Sequence, residues 1–289
     1  MKTEKLTQHA NLTYSDRNET PYISFPILEQ FDFIRHGSST KLGGVSEGIY
    51  KSMNLGFNRG DLEERVFENY RLFCESIGSK DEDLIFTDQV HKDIVRVASS
   101  QDKGMGIHRK RSYCEVDGHI TKEEGVPLVI FFADCVPIFF VDPVVKAIGA
   151  THSGWRGTVL KIGAKTVNQM KEKFLSKAED IVAVIGPSIC KQCYEINEDV
   201  ANEFMSNFKI DQWERFLEKK PKQEGMEQKY QLDLWEANRL ILLESGLREE
   251  NIVVSELCTM CRSNLFFSHR ATRGQRGSMV GMIEIKPQT

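Results

Sequence analysis

Leu128-Val-Ile-Phe-Phe-Ala-Asp-Cys-Val-Pro-Ile-Phe-Phe-Val-Asp-Pro-Val-Val-Lys-Ala-Ile-Gly-Ala-Thr-His-Ser-Gly-Trp-Arg-Gly-Thr158 contains three apolar runs, at 128–133, 136–141 and 147–150. Each is short enough for a buried strand and rich in the Val, Ile and Phe that suit a pleated surface. Asp134 and Cys135 separate the first two runs, and Asp142-Pro143 supplies a turn before the third. The third run leads into Thr151-His-Ser-Gly-Trp-Arg-Gly157 and then a segment with helical spacing. Polar groups therefore collect where strands end, which is where sites are usually built.

Outward from this stretch, the chain of 289 residues is long enough to bury a sizeable core in one compact domain. Its formal net charge of −4 and pI near 6.0 give no electrostatic footprint for nucleic acid. No apolar run reaches the roughly 18 to 20 residues of a membrane span, and the polar N-terminus has no signal-peptide core. We expect a cytoplasmic protein without membrane partners. Seven cysteines, an odd number, fit a reducing compartment in which thiols pack, bind metal or react.

Residues 1–20 read as a polar, frayed segment, with edge-strand candidates around Leu12, Tyr14, Tyr22 and Ile23; residues 1–30 are expected to form an N-terminal extension to a domain at 31–289. A Gly-rich loop follows the short strand near Phe33. Asp61 is the expected cap of a helix whose Val66, Tyr70, Phe73 and Ile77 recur at helical spacing, and Gly78 ends it. Strands are expected at 84–86, 94–98, 181–185, 252–254 and 279–285, and a turn at Asp117-Gly-His-Ile120. Helices are expected after Gly157, at 197–217 with an Asn197 cap, and from Leu232 to Gly246; 218–229 reads as a charged loop. Without regular alternation of strand and helix, the pattern favours an α+β architecture, a single mixed-sheet domain with flanking helices.

His91, Cys135 and His152 each lie beside an expected strand end. Two imidazoles and a thiolate make a good zinc set, and three protein ligands leave a position open for water or substrate. Cys190-Lys-Gln-Cys193 and Cys258-Thr-Met-Cys261 offer a rival, a closed four-thiolate zinc site, although the pairs lie much farther apart than in a zinc ribbon. Incidental thiols are the plainer reading of those pairs, and Cys74 and Cys114 read as packing residues. Lys41 or Arg35 in the Gly-rich segment, and Arg156 and Arg270 beside glycine or a strand end, are candidate anion contacts.

Phe132-Ala-Asp-Cys-Val-Pro137, His152-Ser-Gly-Trp-Arg-Gly157, Gly186-Pro-Ser-Ile189 with Cys193-Tyr-Glu195, and Cys258-Thr259 with Phe267-Ser-His-Arg270 together resemble the laccase-domain family, also called the multicopper polyphenol oxidase or YfiH/YlmD family. The resemblance runs from about residue 33 to the C-terminus. It implies a zinc held by His91, Cys135 and His152, and purine nucleoside phosphorylase activity on adenosine, inosine or guanosine with phosphate. It also implies methylthioadenosine phosphorolysis and adenosine deamination. Cys135, Arg156 and Lys41 are the expected catalytic set, and Lys41, Arg156 and Arg270 the expected phosphate contacts. The chain departs from the family at two places, with Lys41 in place of an arginine and Ser278 where the family often has Gly-Arg. Lys keeps the charge but not the bidentate fork. Copper-dependent oxidation of phenols, which the family's older name implies and a Cu2+ ion at the same ligands would serve, is the alternative enzyme reading. A peptidoglycan-quality factor or zinc-stabilised interaction module is the alternative outside catalysis.

Overall fold

In the computed structural model, which describes residues 1–222 and 225–287, the three central runs become the strands Leu128–Phe132, Val136–Asp142 and Ala147–Ser153. They do not share one sheet. Leu128–Phe132 lies between Met279–Ile285 and Ile85–Phe86 in a seven-stranded sheet that continues through Ile34–Ser39, Tyr22–Ser24, Asn11–Tyr14 and Lys2–Lys5. The other two form an antiparallel hairpin within a six-stranded sheet ordered Ile252–Val254, Val182–Ile185, Val136–Asp142, Ala147–Ser153, Val116–Thr121, Ile94–Val97. Both sheets mix antiparallel and parallel pairs, as with Val182–Ile185 beside Ile252–Val254. The chain thus passes from one sheet to the other through Ala133-Asp134-Cys135.

Alternation along the strands explains why the runs are continuously apolar. Leu128, Ile130 and Phe132 join Phe139, Val141, Ile148 and Ala150 in the core between the sheets. Val129 faces the opposite way, with Val280 and Met282, against Val66, Tyr70 and Phe73 of the helix Glu63–Ile77. Ile138 and Phe140 likewise turn outward, to a core shared with the helices Ile162–Phe174 and Leu234–Glu244. A strand covered on both faces needs apolar residues at every position. The result is helix, sheet, sheet, helix, a mixed α/β arrangement with flanking helices.

Several local expectations change for physical reasons. The turn expected at 117–120 is instead part of the strand Val116–Thr121, paired on both sides by Ala147–Ser153 and Ile94–Val97. Asp61 does not cap the helix, which starts at Glu63; its carboxylate accepts from Ser46 Oγ and Asn54 Nδ2 and pins the Gly-rich loop. Gly78 does close that helix, in the left-handed conformation (φ 86°) that glycine adopts without penalty. The helical span at 197–217 is two helices, Glu198–Asn207 and Ile210–Phe216, and Asn197 precedes the first without a capping bond from its side chain. Leu217–Lys219 and Lys229–Leu232 pair across the segment expected to be a loop and take in its two ends, adding a three-stranded sheet with Glu195–Asn197; residues 223–224 of that segment lie outside the described residues. Residues 1–30 supply three strands and bury Leu12, Ile23, Phe25 and Leu28 in the intersheet core, so the N-terminal segment is ordered rather than frayed. Cys74 is buried as expected, but Cys114 is exposed. No helix among the described residues is long and apolar enough to cross a membrane.

Candidate metal centre and its cleft

Cys135 sits where the chain crosses between sheets, and His152 lies near the end of the strand whose partner begins at Val136. His91 arrives from a loop in which Gln89 and His91 both adopt positive φ (50° and 61°), reversing the chain so that the imidazole points back to the sheet end. The ligating atoms of His91, Cys135 and His152 lie within 4.8 Å of one another, and the two imidazole rings meet edge to face at 4.9 Å. Two imidazole nitrogens and one sulfur so close together suit a single zinc or a comparable transition metal.

Asp117 organises this convergence. It is fully buried on the strand Val116–Thr121, and its carboxylate accepts the backbone N–H groups of Val90, His91 and Lys92 at 3.1, 3.0 and 2.9 Å. It also accepts His152 Nδ1–H at 2.9 Å, which leaves Nε2 to face the site. One carboxylate therefore sets both the loop that carries one histidine and the ring orientation of the other. Burial works to raise the Asp117 pKa, but the bonds from His152 and from the Lys92 and His91 amides outweigh it and hold the carboxyl below its usual range. Burial likewise works against a charged His152, yet Cys135 and Asp117 push its pKa up to about 9. His91 moves the opposite way, lowered by burial and by His152.

Gln89 docks the same loop on the neighbouring sheet. Its amide donates to the Phe131 carbonyl at 2.8 Å and accepts the Phe131 N–H, mimicking a strand rung. Asp134 fixes the other side of the site. Held at φ 88°, it accepts Thr259 Oγ1 at 2.6 Å, Ser268 Oγ at 3.1 Å and the Arg270 amide at 2.7 Å. The Asp-Cys pair thus splits its work, with aspartate tying down two distant loops and cysteine facing the histidines.

The three donors line one wall of a cleft of about 330 Å³, within the size range of small-molecule sites. Phe57 and Phe131 give it aromatic surface, and Arg59, Arg111 and Arg276 give it positive charge. Arg111 is paired with Asp88 at 3.0 Å. Arg276 instead donates to two neutral acceptors, the Gly277 carbonyl and Ser278 Oγ, and its Nε is buried without a partner. Burial and the nearby Arg59 lower the Arg276 pKa to about 10. A half-buried cation beside another cation and lacking a carboxylate partner is prepared for an anion.

A family model described as multi-copper polyphenol oxidoreductase laccase matches residues 35–286. The chain belongs to this laccase-like family. It is 39% identical over 256 residues to the purine nucleoside phosphorylase YlmD of Bacillus subtilis (strain 168), covering 86% of this chain and 88% of that protein. Among solved structures, hypothetical protein YfiH of Bacillus licheniformis matches with a TM-score of 0.84 at 32% identity, over 98% of this chain and 99% of its own. YlmD of Geobacillus stearothermophilus matches with a TM-score of 0.84 at 33% identity, over 96% and 99%.

In this laccase-like chain, the candidate residues from the sequence divide into two groups. His91, Cys135 and His152 come together; Lys41, Arg156 and Arg270 do not line their cleft. Lys41 borders a neighbouring cavity of about 440 Å³ that meets the first at Arg276. Arg156 stacks on Trp155 at 4.2 Å, near enough to His91 to disfavour its protonation. Arg270 stacks over Tyr194 at 5.1 Å and donates to the Glu195 carbonyl. Asp117, Gln89, Arg59 and Arg276 were not singled out by sequence reasoning. The signal for Gln89 was its place two residues before His91, and that for Arg276 its place two residues before Ser278, where the family often has arginine.

Gly154 tests the convergence without touching a donor. Its backbone (φ −68°, ψ 176°) is open to any residue, but a Cβ there would stand 2.9 Å from His91 Nδ1 and 3.2 Å from Cys135 Sγ. Gly154→Ala is therefore expected to keep the fold while weakening metal binding roughly ten- to a hundredfold, the scale of disturbing ligand orientation. Competition titration with a chromogenic chelator reads the change; affinity equal to that of the unaltered chain would show that the three groups do not bind one ion.

Proposed function

We propose that the chain is a zinc-dependent purine nucleoside phosphorylase that cleaves adenosine, inosine or guanosine with phosphate. The observation that carries this reading is the meeting of His91, Cys135 and His152 in a cleft that also holds unneutralised guanidinium groups. The names of relatives across most of their length support the same reaction class. We include methylthioadenosine phosphorolysis and adenosine deamination in the proposed range.

The donor set fits zinc, which would be held by His91, Cys135 and His152 and would supply Lewis acidity at an open position. Arg276 and Arg59 bind and orient the phosphate. Phe57 and Phe131 provide apolar surface for the flat base. A phosphate oxygen then forms a bond to the ribose anomeric carbon as the glycosidic bond breaks. The bond pair leaves with the base, which takes up a proton. The protein's share is positioning and charge stabilisation. Lys41, across Arg276 in the adjoining cavity, and Arg156, on the His91 side, strengthen the positive field around this site, and Arg270 holds the Asp134 loop through its backbone amide.

Oxidation of phenols by coupled coppers has less support. Among the described residues only one His/Cys cluster contains histidine, and it has two.

The assignment of phosphate contacts separates the cations. Arg276→Gln is expected to raise the KM for phosphate roughly ten- to a hundredfold, the scale of a charge-assisted hydrogen bond, whereas Lys41→Gln acts only through space and raises it by less than about threefold. Initial rates of base release across a phosphate series measure both. The reverse order would return the phosphate site to the Lys41 loop.

A further inference from the structure

The two Cys-x-x-Cys segments meet in space. The Sγ atoms of Cys190, Cys193, Cys258 and Cys261 all lie within 4.8 Å of one another, with Cys193 to Cys261 at 3.4 Å and Cys190 to Cys261 at 3.9 Å. In a tetrahedral site with zinc–sulfur bonds of about 2.3 Å, neighbouring sulfurs stand roughly 3.8 Å apart. The observed spacing is that of a ligand cage a little relaxed.

The fold explains how segments more than sixty residues apart converge. Val182–Ile185 and Ile252–Val254 are adjacent parallel strands, so the loops that leave their C-terminal ends emerge side by side. These loops are stitched together beside the cysteines, by Ser188 N–H to the Leu257 carbonyl and Thr259 N–H to the Ser188 carbonyl. Cys258 Sγ then accepts two backbone N–H groups, from Cys190 and Cys261, each at 3.4 Å. Amide donors aimed at a sulfur favour its thiolate, the form that ligates metal. Cys258 and Cys190 are buried, Cys193 is partly covered and Cys261 is exposed, so an ion would reach the cage from the Cys261 side.

We propose that these four cysteines form a second metal site, a closed tetrathiolate zinc centre separate from the His91, Cys135 and His152 cluster. Zinc forms four sulfur bonds there as the thiol protons pass to solvent, with no change in oxidation state. With no position left for substrate, the site is structural. It braces the loops that grip the catalytic crossing, since Ile189 N–H bonds the Asp134 carbonyl and Thr259 Oγ1 bonds its carboxylate. The proposal stands whether or not the chain cleaves nucleosides.

Metal counting on the intact chain tests it. Refilled with zinc under reducing conditions and freed of loosely held ion, the chain is expected to bind two zinc ions, and Cys135→Ser to retain one. Cobalt substituted into Cys135→Ser should give the intense sulfur-to-cobalt charge-transfer and tetrahedral d–d bands of a tetrathiolate, and adding Cys261→Ser should remove them. The Cys135→Ser arm leaves all four ligands in place, so a folding defect in the double variant does not decide the matter. A Cys135→Ser chain that binds neither zinc nor cobalt would overturn the proposal. So would free titration of all four thiols in the zinc-loaded chain, or their recovery from reducing buffer as disulfides.

Discussion

Cys135→Ala is expected to lower purine nucleoside cleavage more than about a hundredfold while leaving the chain folded. Loss of an outer partner alone typically costs ten- to a hundredfold in metal affinity or activity, and a ligand is worth more than its partner. Cys135 is only partly covered, in the short passage between sheets. The structural grip on that passage belongs to Asp134, through Thr259, Ser268 and the Arg270 amide. Truncation to alanine therefore removes the sulfur and its hydrogen bond to His152 while leaving the Asp134 anchors of the passage in place. Zinc content, thermal unfolding and base release from adenosine, measured on one preparation, separate the effects. Activity within a few fold of the unaltered chain would remove Cys135 from the chemistry. Collapse of the fold would make its role structural.

Asp117→Asn carries the second large effect, and it strikes both metal binding and stability. An amide in place of the carboxylate retains one acceptor oxygen where two now receive four donors, the amides of residues 90, 91 and 92 and the His152 ring. Each buried donor left unpaired costs about 1–3 kcal/mol. In a chain of this size each kcal/mol lowers Tm by roughly 1.5–2 °C. Zinc affinity is expected to fall roughly ten- to a hundredfold, because the His91 loop loosens and His152 loses the partner that fixes its ring. A chelator competition titration and a melting curve check the two parts. If both match the unaltered chain, the convergence of the histidines does not depend on Asp117.

The layers of this fold were readable because its central strands are covered on both sides. Leu128 to Phe132 shows an unbroken apolar run for the physical reason that Leu128, Ile130 and Phe132 face one core and Val129 another. That run does not reveal that its neighbour at 136 belongs to a different sheet. His91, Cys135 and His152 were each recognisable beside strand ends, and the family resemblance joined them. Their convergence depends on the left-handed turn at Gln89 and His91 and on a carboxylate 26 residues further along, neither of which leaves a periodic trace. The four-cysteine cluster is hidden in the sequence by the distance between its pairs. Parallel strand pairing makes that separation irrelevant, since it sets the two loops side by side whatever the length of the crossover. Arg276 escaped notice because an arginine next to a glycine is ordinary; the distinction lies in its buried, unpartnered Nε.

The most direct test of phosphorolysis at this metal cleft is product analysis of adenosine incubated with the zinc-loaded chain, with and without phosphate. Free purine base, adenine together with any hypoxanthine, and ribose 1-phosphate are expected in equal amounts, formed only when phosphate is present and lost in Cys135→Ala. Absence of ribose 1-phosphate from a fully zinc-loaded, folded chain supplied with adenosine, inosine and guanosine in turn would contradict it.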